Sequence, residues 1–192
     1  TDKKYKLPVY SPLRKNNDSQ FSHGNIIHKL LEILPDVELE KRLYVADKIL
    51  QNYNINDMDY KNNIISEVFE ILDNPKFSGI FSPSSKAEVS IIGAAKNFGE
   101  NIFLNAQIDR VCVTDDKVFI IDYKTNVNVP EVVNDVPDIY LAQLASYRDL
   151  VRSIYPKHEI ICSLLWTNTP KMMIIDGDIL DTTLTQLNSV LS

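Results

Sequence analysis

Apolar residues along this chain change their period once, near residue 75. Before it they recur at three- and four-residue spacing: Ile27, Leu30, Leu31 and Leu34, then Leu39, Leu43, Ala46 and Leu50, then Ile64, Ile65, Val68, Phe69 and Leu72. That spacing gathers apolar side chains on one side of a helix. Helices are predicted at about 22–34, ended by Pro35, at about 37–52, and from a cap at Asp57 onward. Residues 1–20 carry Pro8, Pro12 and an Asn/Asp/Ser cluster and are expected to form an extended arm. Past Pro75, a loop marked by Gly79 and Pro83 leads into short apolar runs that predict strands at about 87–95, 102–113, 117–123, 159–166 and 171–175. A helix at about 137–155 lies between the third and fourth strands, with Pro137 in its first turn and Pro156 beyond its end. A last helix covers about 178–191. The expected fold is α/β (α+β), one domain over 21–192. Its helical part spans about 21–75 and its sheet core about 86–192, where a three-strand antiparallel meander leads through a crossover helix to two more strands.

The chemistry concentrates in residues 107–125, QIDRVCVTDDKVFIIDYKT. These form a predicted hairpin turning at Asp115 and Asp116. Opposed residues then have numbers summing to 231, so Val113 faces Val118, Val111 faces Ile120 and Asp109 faces Asp122. Val118, Ile120, Asp122 and Lys124 share one face, and Asp109, Val111 and Val113 share the matching face. Carboxylates directly opposed across a sheet sit roughly 5 Å apart and repel. A divalent cation between them removes that penalty, and Mg²⁺ favours such oxygen ligands. Lys124 projects to the same side about 7 Å further along, where its ammonium reaches a nucleophilic water and a phosphate. Two acids and a lysine on one sheet face form a minimal phosphodiesterase set. The plainer alternative is that Asp122-x-Lys124 is a solvated strand end.

Composition narrows the field. No apolar run is long enough to span a bilayer, and no charged-then-apolar leader opens the chain, which points to a cytoplasmic protein without membrane partners. The first residue is Thr, as expected of a piece of a longer protein. The two cysteines, Cys112 and Cys162, lie in apolar stretches and read as buried thiols. They cannot supply a four-cysteine iron–sulfur cluster. The net charge of −6 argues against unaided nucleic-acid capture, although a bound cation reverses the sign locally. DNA binding by this domain alone is expected to be weak and strongly salt-sensitive.

Four motifs, in order, resemble those of the RecB-like branch of PD-(D/E)xK nucleases over roughly residues 20–166. Asp122-Tyr123-Lys124-Thr125 is similar to the family's core motif, and Ile108-Asp109-Arg110 to the segment bearing its first acid. Gly24-x-x-x-His28 resembles the histidine helix of that branch, and Gln143-x-x-x-Tyr147 its Gln-x-x-x-Tyr motif. Residues 87–91 and 164–167 further resemble the C-terminal nuclease regions of AddA-type helicase–nucleases. The resemblance implies a restriction-endonuclease-like core, a mixed central sheet flanked by helices. It implies a Mg²⁺-dependent DNA exonuclease, with Mn²⁺ as a substitute, acting in double-strand break repair and recombination. His28, Asp109, Asp122 and the Tyr123 carbonyl would hold the metal, and Lys124 would serve the water. Gln143 and Tyr147, one helical turn apart, would support the lysine or contact DNA, and Glu88 would be an auxiliary acid. The implied partners are single-stranded DNA, helicase domains of the same parent chain and an AddB-like subunit. The chain has no Gly-x-x-x-x-Gly-Lys loop of its own.

Each residue also has a structural reading. His28 borders an apolar helix face, where a histidine is commonly packed or exposed. Tyr140, Leu144, Tyr147 and Val151 recur helically, as core residues do. His23 and His158 read as surface, Trp166 as core or as a base-stacking platform, and Asp135 and Asp138 as helix caps. The rival functions are a catalytically silent module of the same fold and a free-standing restriction- or resolvase-like nuclease.

Overall fold

The computed structural model describes residues 23–94 and 103–191. The expected arm and residues 95–102 lie outside them. Helices α1 (His23–Ile33), α2 (Leu39–Asn52) and α3 (Met58–Leu72) precede strands β1 (Ser85–Ala94), β2 (Phe103–Val113) and β3 (Lys117–Lys124). Helix α4 (Asp138–Ile154) then leads to β4 (Glu159–Trp166), β5 (Lys171–Ile175) and α5 (Gly177–Leu191). Among the described residues no helix is long and apolar enough to cross a membrane.

The expected element order holds, with ends shifted by one or two residues. Asp57 caps α3 by accepting a hydrogen bond from the Tyr60 amide. The segment before β1, expected as a loop, contains a 3-10 turn at Ser78–Phe81. The caps expected at Asp135 and Asp138 are absent: Pro137 occupies the cap position of α4 without a side-chain hydrogen bond. Asp138 instead places its charge in the first turn, near the positive end of the helix dipole.

The five strands form one sheet in the order β1-β2-β3-β4-β5. All neighbours run antiparallel except β3 and β4, which are parallel. Parallel neighbours need a crossover, and α4 supplies it. Two cores result, one on each face of the sheet. Leu104, Ala106, Ile108, Val111, Val118, Ile120, Cys162 and Leu164 pack with Leu144, Tyr147 and Leu150 of α4. On the other face Ile121, Tyr123 and Leu165 pack with Ile27, Leu30, Leu31, Leu50, Ile64 and Val68 of the helical part. Cys112 and Cys162 are free and buried.

One buried cation ties that helical part to the sheet. Arg110 is 2% exposed. Its guanidinium donates to the Tyr123 hydroxyl (2.9 Å), Ser85 Oγ (2.8 Å) and the Leu31 carbonyl (2.8 Å), and lies 4.8 Å from the centre of the Phe81 ring. Leu31 is in the last turn of α1, where carbonyls lack intrahelical partners and a cation is favoured. Arg110 therefore fixes the end of the helix that carries His28. Replacing it by Met leaves a buried carbonyl and a buried hydroxyl without their donors, at roughly 1–3 kcal/mol each. Arg110→Met is expected to lose about 3 kcal/mol and to melt about 6–12 °C lower. A thermal midpoint unchanged within about 1 °C would show that the clamp contributes nothing.

Candidate active site

The β2–β3 hairpin has the predicted register: Val113 pairs with Val118, Val111 with Ile120 and Arg110 with Ile121. The ladder stops there, one pair short of Asp109 and Asp122. The Tyr123 amide, which continued pairing would direct to a β2 carbonyl, instead donates to Asp109 Oδ2 at 2.8 Å. A side-chain acceptor has replaced a main-chain one, and the strands part at the acids.

Strand β1 breaks step at the same level. Its partners are Ala87–Arg110 and Val89–Ile108, and the intervening pair, Glu88 with Asp109, is missing. Glu88 has φ 51°, a left-handed conformation rare for a residue with a side chain and costing roughly 1–2 kcal/mol. Both strands change sides around it. Leu104, Ala106 and Ile108 face the α4 core, as does Val111, so even positions give way to odd ones across Asp109. Val89 and Ile91 face that core too, whereas Ser85 meets Arg110 on the other face. The predicted shared face of Asp109, Val111 and Val113 is thus interrupted at Asp109, whose carboxylate meets His28 of α1.

His28 Nδ1 lies 3.1 Å from Asp109 Oδ1, and the ring stands edge-on to Tyr123 at 5.5 Å between centroids. His28 Nε2 is buried with no hydrogen-bond partner among the described residues. His28, Glu88 and Asp109 each offer a ligand atom, all within 4.8 Å of one another. One ring nitrogen on a carboxylate and the other vacant is how metal-ligating histidines are set, so these residues fit a divalent cation.

Lys124 completes the cluster. It is 2% exposed, ion-paired with Asp122 Oδ2 at 2.5 Å, and donates to Gln143 Oε1 at 2.9 Å. Gln143 Nε2 donates to the Tyr147 hydroxyl (2.7 Å), which donates to the Gln107 carbonyl (2.8 Å). Gln107 in turn donates to Glu88. The Tyr140 ring centre lies 4.0 Å from the ammonium.

The two aspartates are driven apart electrically. Burial opposes charge on His28, but the charge and hydrogen bond of Asp109, with Asp122 and Glu88 beyond, outweigh it and hold the imidazole above 6.5. Burial also opposes charge on Asp109, yet His28, the Tyr123 amide and Lys124 keep its carboxyl below the usual carboxylate range. For Asp122 burial prevails over Lys124, Asp109 adds repulsion, and its carboxyl is raised.

The structure brings every sequence-predicted residue into this region. Glu88, read as auxiliary, belongs to the densest ligand group; its unusual backbone has no signature in a Glu-Val-Ser run. Sequence reasoning missed two residues. Arg110 was legible only as part of the first-acid motif, and Tyr140 only as a core position. His23, read as surface, is half-buried and bonds Glu67 at 2.8 Å, and Glu67 accepts from Thr167. His158, also read as surface, is half-buried against the Tyr155 ring. Trp166 is a core residue, 1% exposed.

Residues 3–171 match the PD-(D/E)XK nuclease superfamily, and the chain belongs to that superfamily. Its nucleases generally use divalent metals and act on DNA. No curated protein matches the chain. Among solved structures, that of SSO0001 is similar at 14% identity over 86% of this chain and 73% of that one, with a TM-score of 0.40. Protein VC1899 from Vibrio cholerae is similar at 18% identity over 88% and 50%, with a TM-score of 0.34.

Two expectations follow from the ligand geometry. Glu88→Gln keeps the shape but removes a ligand charge, and is expected to weaken Mn²⁺ binding by about tenfold or more; titration calorimetry giving wild-type affinity would exclude Glu88 from the site. The second concerns protons. The folded pKa of His28 lies above the unfolded 6.5, so its stabilising share is complete below 6.5 and is lost as pH rises through the folded value. A histidine binds a metal only as the neutral imidazole. Mn²⁺ binding near pH 6.5 is therefore expected to release a proton and to tighten as pH rises. Calorimetry in two buffers of different ionisation heat measures this, and identical apparent heats would contradict it.

Proposed function

We propose that the chain is a metal-dependent deoxyribonuclease. His28, Glu88, Asp109 and Asp122 hold the cation, with the Tyr123 carbonyl as a further ligand, and Lys124 serves the attacking water. The observation that carries this reading is the gathering of a histidine, three carboxylates and a fixed lysine at the level where pairing of β1, β2 and β3 gives way. Mg²⁺ is the expected metal and Mn²⁺ its substitute, and a cation in this donor set supplies Lewis-acid stabilisation of phosphate charge.

Hydrolysis adds water across one P–O bond of the backbone, leaving a phosphate end and a hydroxyl end. The Lys124 ammonium orients the water and offsets charge growing on the phosphate oxygens. Gln143 and Tyr147 hold that ammonium through a chain ending on the Gln107 carbonyl, so it need not be ordered when substrate arrives. Asp122 is its counter-ion in that buried place.

The same four motifs support a finer reading. The site is of the RecB-like type, and the domain is the exonuclease of an AddAB-type helicase–nuclease in double-strand break repair. Its substrate is single-stranded DNA passed on by helicase domains of the same chain, beside an AddB-like subunit. A native reading frame with no helicase sequence upstream would refute that finer reading and leave the nuclease intact.

The direct test is cleavage of single-stranded and duplex DNA with Mg²⁺, Mn²⁺ or EDTA. Metal-dependent cleavage is expected, reduced by about 10²–10³-fold or more in Lys124→Ala and Asp122→Ala. Cleavage that persisted in Lys124→Ala would remove the lysine from the reaction. No cleavage by the wild type, with metal binding abolished in Asp122→Ala, would favour a domain that needs its motor. Absence of metal binding altogether would favour a silent module.

A further inference from the structure

Lys124 is held from three directions, and only two belong to the motifs already discussed. Asp122 provides the carboxylate and Gln143 the amide oxygen. The third neighbour is the face of Tyr140, 4.0 Å from the ammonium. Tyr140 precedes Gln143 by three residues and Tyr147 by seven, so all three lie on one face of α4. The ring is itself fixed at both ends. Its hydroxyl donates to Asn126 Oδ1 at 3.0 Å, two residues past the lysine. The ring also meets the Trp166 ring at 6.1 Å between centroids, and Trp166 is the residue paired with Lys124 across β3 and β4.

Burial separates Tyr140 from the other two neighbours. Asp122 is 1% exposed and Gln143 6%, whereas Tyr140 is half-buried. Tyr140 is thus the one of these three neighbours that is partly open to solvent. A filler at that place needs only volume, which Leu or Met supplies. An ammonium set over an aromatic face gains attraction from the ring quadrupole, and more where water is thin.

We infer that Tyr140 is a positioning residue of the active site, an aromatic wall that holds the Lys124 ammonium in place. The effect on cleavage rests on the nuclease reading above; the placement of the ammonium against the ring does not. The aromatic face is the essential feature, so Phe substitutes for Tyr140 and an aliphatic residue of similar size does not.

The experiment compares wild type, Tyr140→Phe and Tyr140→Met in two measurements. In NMR spectra, the Lys124 Hε resonances are expected upfield in wild type and Tyr140→Phe, because they sit over a ring, and to return toward ordinary lysine values in Tyr140→Met. In single-strand cleavage with Mn²⁺, Tyr140→Met is expected to lower kcat about tenfold with KM unchanged, and Tyr140→Phe to keep most of the wild-type rate. Unshifted Lys124 resonances in the wild type would overturn the inference. So would a wild-type kcat in Tyr140→Met, or an equal loss in Tyr140→Phe. If the wild type binds Mn²⁺ but cleaves nothing, as a domain that needs its motor would, the ring-current shift and its loss in Tyr140→Met still decide whether Tyr140 holds the ammonium.

Discussion

Asp109 stands where a main-chain acceptor belongs. Its Oδ2 accepts the Tyr123 amide and its Oδ1 meets His28. A buried amide must be paired, so the hairpin can open beside the acids only because a side chain takes over the lost bond. Three consequences follow. β2 and β3 part at the level of Asp122. His28 of α1 meets the sheet at Asp109. Asp109 becomes part of the hydrogen-bonding frame and cannot be moved without unpairing Tyr123. A carboxylate fixed by an amide and an imidazole keeps its charge despite burial, consistent with its lowered pKa.

Positions around that opening are set by groups on both faces of the sheet. From the helical side, Arg110 fixes the end of α1 and bonds the Tyr123 hydroxyl, so His28 and Tyr123 are held by one guanidinium. From the α4 side, the chain Lys124–Gln143–Tyr147–Gln107 leads back to Glu88. Glu88 sits in a left-handed conformation opposite Asp109. Strain of this kind persists only where surroundings over-determine it, and the Gln107 contact with the flanking β1–β2 ladder provides that constraint.

Elements were legible because their causes are local. The 3.6-residue period of Ile27, Leu30, Leu31 and Leu34, the Asp57 cap and the Asp115-Asp116 turn act within a few residues, and hairpin register follows from the turn. The pairing of Asp122 with Lys124 was within reach of the same reasoning, since residues two apart on a strand share a face. The change of sides at Asp109 was not. It depends on Glu88, 21 positions earlier, adopting a backbone state that its identity does not announce. Arg110 is a similar case: an Arg between Asp and Val in a strand looks solvent-facing until α1 and the Tyr123 hydroxyl supply acceptors. Tyr140 matched a core stripe, and the same position also faces the ammonium. Position on a helix face shows that a residue points inward, but not what it meets there.

The exposure of the cluster constrains how a substrate reaches it. His28, Asp109, Asp122 and Lys124 are all buried, from 1% to 8% exposed, while Glu88 and Tyr140 are half-buried. Of these six, a phosphate can meet only the last two from solvent, and one of them is an anion. In a chain of net charge −6, a carboxylate at that rim repels DNA. A cation held by Glu88, Asp109 and His28 would invert the sign there and would be the first positive charge for a phosphate to meet. Metal binding and DNA binding would then be linked through the same carboxylates, each strengthening the other by the same free energy. The lysine lies behind this layer, already held by Asp122, Gln143 and Tyr140.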